Sequence, residues 1–300
     1  MQKDLFQGIW PAMLTPVKPN GEPDSRQIQK LVEALIREGA DGLYLLGTTG
    51  MGPLLSERQR RSVCEWTVEA ADKRVPIMAH VGSMTTQSSV ALARDAAQAG
   101  ADAISAVGPI YYQQNIDSVF AHYRSIGSVC ELPFFPYHFA ASSRLTFSPQ
   151  QFSEKLLALP HVTGIKYTSL DLYEMGLLHG ICGERVRIFS GADELFCHAA
   201  LSGAVGAIGS YYNLWVRECK RVRKAFLKGN VNAARRFMPA FQHAISVTVH
   251  DMWGFFRKAL AMKFDVDIGD TIAPLTSGKN VWRESEVSDL FELIENASTI

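Results

Sequence analysis

The segment EGADGLYLLG at residues 38–47 has a near copy, AGADAISAVG, at residues 99–108 and a weaker echo, SGAVGAIGS, at residues 202–210. In the two close copies a Gly-Ala-Asp turn precedes a short apolar run. Such a turn is typical of a chain in which glycine ends a helix and the next strand begins. Its recurrence predicts a fold built from repeated helix-to-strand units.

Eight short apolar runs alternate along the chain with amphipathic segments in which apolar residues recur at spacings of three and four, which predicts helices at, for example, residues 26–39, 56–74 and 87–100. Runs that are apolar throughout are typical of parallel strands, because both faces of the sheet are covered. Eight strands, each followed by a helix, predict a (β/α)8 TIM barrel. A doubly wound open sheet is the alternative, and the repeated turn favours the barrel. The predicted strands are GIWPAMLTPV (8–17), GLYLLGTT (42–49), VPIMAHVG (75–82), AISAVGP (103–109), PFFPYHF (133–139), VTGIKYT (162–168), VRIFSGA (186–192) and AVGAIGS (204–210).

The carboxyl-terminal part of the sequence has a different pattern. No strand is predicted after residue 210, and segments at residues 214–230, 231–250 and 251–264 predict added helices on the flank of the barrel. No linker rich in proline, serine or glycine separates them from the barrel. We therefore expect one domain over residues 1–300, with a barrel core at about 8–213 and a helical extension at about 214–300.

The composition limits the class of partner and the compartment. The 30 basic and 30 acidic side chains balance, so no net field favours nucleic acid or an anionic membrane, and a small molecule is the expected partner. The five cysteines form no CxxC pair, which disfavours a disulfide framework and a zinc site and indicates a reducing cytoplasm. The sequence has no signal segment and no run of about 18 apolar residues, which predicts a soluble chain.

Lys166 stands near the end of the sixth predicted strand. Period-two alternation puts Gly164, Lys166 and Thr168 on one face of that strand. In a parallel barrel, catalytic groups come from the carboxyl ends of the strands. Burial there lowers the pKa of an amine by up to about 3 to 5 units, which creates a nucleophile that forms an imine with a ketone. The alternative is a lysine whose amine reaches solvent.

Three other strand ends carry suitable chemistry. Tyr137 places a phenol beside the sixth strand, where it would relay protons, and a packed tyrosine with a satisfied hydroxyl is the alternative. GTTG at residues 47–50 offers backbone N–H groups and the hydroxyls of Thr48 and Thr49, which suit a carboxylate. GADE at residues 191–194 supplies Asp193 and Glu194, which either bind sugar hydroxyls or cap a helix.

The histidines and glycine loops give no sign of a metal or a nucleotide. His80, His138 and His161 lack the spacing of metal ligands, and His138 beside the tyrosine is interpreted as packing. No GxGxxG, GxSxG or Walker-type loop occurs in the sequence. We therefore expect neither a metal nor a cofactor.

Taken in order, GTTG, GPIYY, PYH, GIKYTSLDLY, GADE and GAIGSYYN resemble the dihydrodipicolinate synthase and N-acetylneuraminate lyase superfamily over residues 8–213. The resemblance implies a class I aldolase in which Lys166 forms a Schiff base with a pyruvate-like 2-keto acid, without a cofactor. It also implies that Tyr137 relays protons and that Thr48 and Thr49 hold the carboxylate of the keto acid.

Within the superfamily, the sequence is more similar to the N-acetylneuraminate lyase branch. Asp193 and Glu194 match the acid pair that binds the sugar in that branch. Ser210 and Thr168 match its serine after the eighth strand and its threonine two residues past the lysine. The synthase branch has an arginine where Ser142 stands, so the guanidinium that would receive a dicarboxylate is missing here. The substrate-binding residues that the resemblance implies are Thr48, Thr49, Thr168, Gly191, Asp193, Glu194, Gly209 and Ser210.

Two further positions bear on assembly and substrate. Tyr111 matches the tyrosine that, in the synthase branch, completes the proton relay of a neighbouring subunit, which implies a homo-oligomer, either a tetramer or a dimer. Met51 stands where the superfamily usually has glutamate after GTTG. The missing carboxylate would loosen the loop of Thr48 and Thr49 or shape the pocket for a less polar aldehyde.

The leading hypothesis is an enzyme, a carbon–carbon lyase that cleaves N-acetylneuraminate to N-acetylmannosamine and pyruvate. One alternative is an aldolase or dehydratase for another 2-keto sugar acid, or a dihydrodipicolinate-synthase-like protein with a different substrate. Another, favoured by Met51, is an aldolase for a hydroxy-aryl pyruvate. The alternative outside enzymes is a keto-acid-binding barrel without turnover. It is disfavoured because a pure binding protein would not need the nucleophile Lys166.

Overall fold

The computed structural model describes residues 5–112, 114–143, 145, 147–275 and 282–300, without the side chains of residues 142 and 143. Its strands are β1 (Gly8–Pro11), β2 (Leu43–Leu45), β3 (Ile77–His80), β4 (Ala103–Val107), β5 (Phe134–Phe139), β6 (Gly164–Thr168), β7 (Arg187–Ser190) and β8 (Ala204–Gly209). They form one parallel sheet in the order β1-β8-β7-β6-β5-β4-β3-β2. The sheet closes where Met13 N donates to Tyr44 O at 2.9 Å, beside a parallel bridge between Ala12 and Tyr44. The predicted (β/α)8 barrel is confirmed, and the open sheet is wrong.

The helices between strands begin at side-chain caps. The Asp24 carboxylate accepts from backbone N–H groups at the start of the first helix, and Ser56 forms a capping box with Gln59 at the start of the second. The predicted helical segments at residues 26–39, 56–74 and 87–100 agree with the first three helices to within a few residues. These inter-strand helices are α1 (Ser25–Arg37), α2 (Glu57–Ala71), α3 (Thr86–Gln98), α4 (Ile116–Gly127), α5 (Ala140–Ser143), α6 (Pro149–Leu157), α7 (Leu172–Cys182) and α8 (Phe196–Leu201).

The repeated Gly-Ala-Asp turn has the predicted backbone. Gly39 and Gly100 follow α1 and α3 with φ of 89° and 87°, a region that favours glycine. The role of the aspartate was not predicted: its carboxylate ties the start of its own strand to the backbone of the strand before it. The two bonds run from Ile9 N to Asp41 Oδ2 at 2.9 Å and from Ile77 N to Asp102 Oδ2 at 2.8 Å.

Large side chains fill the interior of the barrel. Alternate residues of the strands face inward, and the others pack beneath the helices. Phe189 makes edge contacts with Trp10 and with Phe135, at centroid distances of 5.5 and 6.0 Å. The interior is therefore a packed core, and the functional site is confined to the end of the barrel. The inner cluster consists of Phe6, Trp10, Ala12, Tyr44, Met78, Ala103, Phe135, Phe189 and Ile208.

The described residues after β8 form α9 (Tyr212–Leu227), α10 (Val231–Thr248), α11 (Met252–Phe264) and α12 (Glu284–Ser298). The helix α9 packs against β1 and takes the place of the eighth ring helix, so the predicted extension from about residue 214 begins inside the ring. The helices α10 and α11 were predicted, whereas α12, which buries Val287, Leu290 and Ile294, was not. None of the helices in the described ranges is long and apolar enough to cross a membrane.

Candidate active site

Lys166 lies on the inner face of β6, as the alternation in the sequence predicts. Its register neighbours are Tyr137 on β5 and Phe189 on β7. The flanking residues Ile165 and Tyr167 pack in the outer core, under the helices. Only 6% of Lys166 is exposed, so the alternative of an amine that reaches solvent is wrong.

The surroundings of the Lys166 amine favour its neutral form. Burial lowers its pKa from 10.5 to about 7, and the negative charge of Asp193 opposes part of that shift. Among the described residues the nitrogen has no hydrogen-bond partner. It lies 4.2 Å from the ring centre of Tyr44 and 4.3 Å from that of Tyr137. A large fraction of the amine is therefore neutral at pH 7, as a nucleophile requires.

Tyr137 and Thr168 form a hydrogen-bonded pair beside the lysine. The Thr168 hydroxyl donates to the phenol oxygen of Tyr137 at 3.3 Å. Burial raises the pKa of Tyr137 to about 12, so the phenol keeps its proton at neutral pH. The pair can therefore donate a proton next to Lys166 and stabilise the oxygen that remains.

The GTTG turn supplies one exposed and one buried hydroxyl. Thr48 is exposed, whereas Thr49 is buried and its Oγ1 lies 2.6 Å from the Oγ of Ser210, directly after β8. The indole of Trp253 on α11 donates to the carbonyl of Thr49 at 3.3 Å. The loop after β2 is thus fixed by contacts with the end of β8 and with the carboxyl-terminal helices.

Asp193 is buried in the turn after β7, and its two carboxylate oxygens differ. Oδ2 accepts from the N–H groups of Ser210 and Tyr211, at 2.9 and 3.1 Å, just before α9. Oδ1 has no partner within the described ranges, and burial raises the pKa of the carboxyl to about 7. The acid therefore holds the start of α9 and keeps one oxygen for a further donor. Glu194 is half-buried, and its carbonyl accepts from Gln242 Nε2 at 2.9 Å.

The two glycines of the predicted set are positions of close approach. A Cβ on Gly191 would overlap the hydroxyl of Thr168, and one on Gly209 would overlap the carboxylate of Asp193. Without side chains, these positions allow the ends of β6, β7 and β8 to bring Thr168 and Asp193 into the site.

Tyr111 lies apart from this group. It follows β4 on a loop, is 74% exposed, and has its ring contact with Tyr112, at a centroid distance of 5.0 Å. The structure therefore does not bring it together with Lys166 within one chain. Its predicted role requires a neighbouring subunit.

Met51 contacts the carboxyl-terminal segment. It is buried with φ of 54°, and its sulfur accepts from Ile272 N at 3.5 Å. It also lines a cavity of about 10 Å³ with Thr15 and Trp253, which is too small for an aldehyde. This contact ties the GTTG turn to residue 272 in a chain that lacks the usual glutamate. The side chain of Ser142, where the synthase branch has arginine, lies outside the described part of the structure.

Two interior residues near Lys166, Tyr44 and His80, were not predicted as part of the site. Tyr44 donates through its hydroxyl to Ser105 Oγ at 3.2 Å. His80, considered from sequence only as a metal ligand, accepts from Val107 N at 3.1 Å, and burial lowers its pKa well below 6.5. The period-two alternation that predicts the inward face of Lys166 also applies to these strands. It was the signal available for finding them.

Residues 5–289 match the Dihydrodipicolinate synthetase family. The N-acetylneuraminate lyase of Citrobacter koseri is 36% identical over 258 residues, which cover 86% of this chain and 85% of that protein. The protein of the same name from Salmonella typhimurium is 34% identical over 253 residues, 84% of each. The match to the family therefore extends well past the segments that carry the motifs.

Solved structures agree with this result. A sialic acid aldolase from Ruminococcus gnavus has a TM-score of 0.92 and 23% identity over 98% of both chains, a likeness that shows the fold. The N-acetylneuraminate lyase from Mycoplasma synoviae has a TM-score of 0.87 and 26% identity, again over 98% of both chains. The chain belongs to the Dihydrodipicolinate synthetase family, whose members are lyases.

Proposed function

We propose that this protein is a Schiff-base aldolase for a pyruvate-derived 2-keto acid, and that it cleaves N-acetylneuraminate to N-acetylmannosamine and pyruvate. The observation that carries the proposal is the amine of Lys166, which is buried inside the barrel with its pKa lowered to about 7. A neutral amine attacks a ketone, and the phenol of Tyr137 lies opposite it in register to exchange protons.

The reaction begins when the Lys166 amine attacks the C2 keto carbon. Tyr137 gives a proton to the carbonyl oxygen, and loss of water leaves a protonated imine. The cation withdraws the electrons of the C3–C4 bond while the Tyr137 oxygen removes the C4 hydroxyl proton, so the aldehyde leaves. The Thr168 hydroxyl, which donates to that oxygen, stabilises it between the two steps. Tyr137 gives the proton that it took from the C4 hydroxyl to C3 of the enamine. Water then releases pyruvate and the free amine, and the proton freed in this step returns to the Tyr137 oxygen.

The two ends of the substrate would contact different parts of the pocket. The Thr48 hydroxyl and the N–H groups of the GTTG turn suit the carboxylate, and Thr49 keeps that turn in place through Ser210. The Asp193 Oδ1 atom lacks a partner in the described chain and suits a sugar hydroxyl, with the half-buried Glu194 beside it. The relatives at 36% and 34% identity are named N-acetylneuraminate lyase, which supports N-acetylneuraminate as the substrate.

A second candidate is an aldolase or dehydratase for another 2-keto sugar acid. Lys166 and Tyr137 act on the keto-acid head that all such substrates share, so their geometry favours neither substrate. Discrimination between these substrates would depend on Asp193 and Glu194, the two acids after β7. A dihydrodipicolinate-synthase-like activity is disfavoured because Ser142 stands where the synthase branch has an arginine. The remaining alternative is a barrel that binds a keto acid without turnover.

We also infer a cytoplasmic homo-oligomer, a tetramer or a dimer. Ile110, Tyr111 and Tyr112 are adjacent on one loop and are 45%, 74% and 74% exposed. Association would remove this apolar surface from water and could bring Tyr111 to a neighbouring site. Light scattering of the purified protein measures the oligomeric state. A monomer at working concentration would contradict the inference.

Pyruvate release from N-acetylneuraminate, coupled to lactate dehydrogenase, tests the proposed reaction. The wild type should release pyruvate, Lys166→Ala should release none, and Lys228→Ala, a change at an exposed lysine, should match the wild type. Release only from a different 2-keto sugar acid would assign the second candidate. Turnover of no keto acid, in a protein that binds pyruvate, would favour the binding barrel.

A further inference from the structure

We propose that the ring face of Tyr44 stabilises the cationic imine at Lys166 by direct contact with the imine nitrogen. The inference rests on the proposed Schiff-base function. The nitrogen already lies over two ring faces, 4.2 Å from the centre of Tyr44 and 4.3 Å from that of Tyr137. An aromatic face attracts a cation within about 6 Å, most strongly where water is excluded. Tyr44 is therefore a catalytic residue, whose ring contacts the reacting nitrogen and supports the charge on which the cleavage step depends.

Contacts with its neighbours hold the Tyr44 ring in this position. Its hydroxyl donates to Ser105 Oγ at 3.2 Å, and the ring of His80 lies 6.1 Å away, centre to centre. A Cβ on Gly47 would come within 2.8 Å of the Tyr44 ring, so the absence of a side chain at Gly47 makes room for it. Tyr44 is fully buried. The ring is therefore fixed before the imine forms and needs no rearrangement.

In the resting site near pH 7, the other ionisable groups around the amine give only partial support to a positive charge. Asp193 acts on Lys166, but its own pKa is about 7, so the carboxyl is partly neutral near that pH. Before the substrate reacts, His80 is kept neutral by burial, and Tyr137 keeps its proton. The buried guanidinium of Arg60, which donates to His80 O at 2.7 Å, helps to keep the His80 ring neutral. The nitrogen lies over the ring faces of both Tyr44 and Tyr137.

Because imine formation changes the charge on the nitrogen, the effect of the Tyr44 ring on imine formation should depend on pH. Neutral amine, ketone and one proton combine to form the protonated imine and water. The ring face stabilises ammonium and protonated imine alike, because both carry one positive charge, and it has little effect on the neutral amine. Weakening the face should therefore impair imine formation above the pKa of Lys166, about 7, and have little effect below it. A loss of packing, in contrast, would impair imine formation equally above and below this pKa.

The experiment changes the electron density of the ring while its shape is nearly preserved. Tyr44→Phe serves as the reference, and phenylalanine analogues with one to three ring fluorines are incorporated at position 44. Trapping with cyanoborohydride gives the pyruvate concentration for half-maximal adduct at about pH 9 and about pH 6. We expect this concentration to rise stepwise, by up to about tenfold for three fluorines at the higher pH, and by less than about twofold at the lower pH.

The matched control places the same analogues at Phe135, which lies in the inner cluster but is not one of the two rings over the amine. Fluorination there should leave the pyruvate dependence unchanged at both pH values. An unchanged dependence across the series at position 44, or an equal effect at both pH values, would overturn the Tyr44 contact while leaving the Schiff base intact. A wild type without any pyruvate adduct would overturn the proposed function and the Tyr44 contact together.

Discussion

The side-chain oxygens of Thr49 and Ser210 lie 2.6 Å apart, so the loop after β2 is hydrogen-bonded to the end of β8 past the intervening strand β1. The N–H of Ser210 donates in turn to Asp193. The proposed carboxylate end and sugar end of the pocket are therefore joined by one chain of hydrogen bonds. A substitution at either end of the pocket should therefore affect the other end.

Thr49→Val tests this connection through stability. The change leaves the Ser210 hydroxyl without its partner in a partly buried place, so we expect the free energy of unfolding to fall by about 1 to 3 kcal/mol. Thr48→Val, at the exposed neighbour, should change it by less than about 0.5 kcal/mol. Denaturant unfolding measures both. Equal losses for the two variants would show that the hydrogen bond does not hold the loop.

Lys166→Met should make the protein more stable at neutral pH. The pKa of Lys166 is about 7 in the folded protein and 10.5 ordinarily, so between these values the unfolded chain binds a proton that the folded protein lacks. The contribution of Lys166 to stability therefore falls as the pH is lowered from 10.5 to 7, and the penalty is fully present below 7. We expect the variant to gain on the order of 2 to 4 kcal/mol at pH 7 and to match the wild type near pH 10.5. If Lys166→Met were less stable than the wild type at pH 7, the claim that burial of the Lys166 amine costs stability would be refuted.

Tyr137→Phe should slow turnover by about 10²-fold or more, because a positioned proton donor is lost. Borohydride trapping of pyruvate should remain measurable, since the Lys166 amine and both ring faces are retained. Steady-state kinetics and intact mass report the two effects separately. A fully active variant would show that Tyr137 is a packing residue.

Asp193→Asn and Glu194→Gln should differ in their effects. Asp193 accepts hydrogen bonds from the N–H groups of Ser210 and Tyr211. The Asp193→Asn substitution should therefore impair both pyruvate trapping and cleavage of N-acetylneuraminate. Glu194→Gln should weaken kcat/KM for N-acetylneuraminate by about 1 to 3 kcal/mol and leave pyruvate trapping unchanged. An equal loss for both reactions in Glu194→Gln would assign that acid a structural role.

The strands and the inward face of Lys166 were predictable because both follow from local patterns. A strand covered on both sides must be apolar throughout, and alternation then fixes which side chains enter the barrel. The spacing of Val287, Leu290 and Ile294 in α12 is also local, and it was available in the sequence.

Contacts between distant segments were not predictable in the same way. The hydrogen bond from Ile272 N to Met51 depends on how the carboxyl-terminal segment lies over the barrel. Asp193 was expected to bind sugar or cap the helix after it. Its Oδ2 atom accepts from residues at the start of α9, because β7 and β8 end side by side, and its role in sugar binding stays a prediction. The inward face of Tyr44 follows from the same alternation as that of Lys166, whereas its contact with the Lys166 amine depends on how β2 and β6 lie across the barrel.

Reduction of the wild-type protein with borohydride in the presence of pyruvate, followed by peptide mapping, tests the central claim most directly. The account predicts one reduced pyruvyl group on Lys166, none on any other lysine, and none in Lys166→Ala, since this lysine alone combines the family motif with a buried amine whose pKa is about 7. An adduct on a different lysine, or no adduct on a folded wild type, would contradict it.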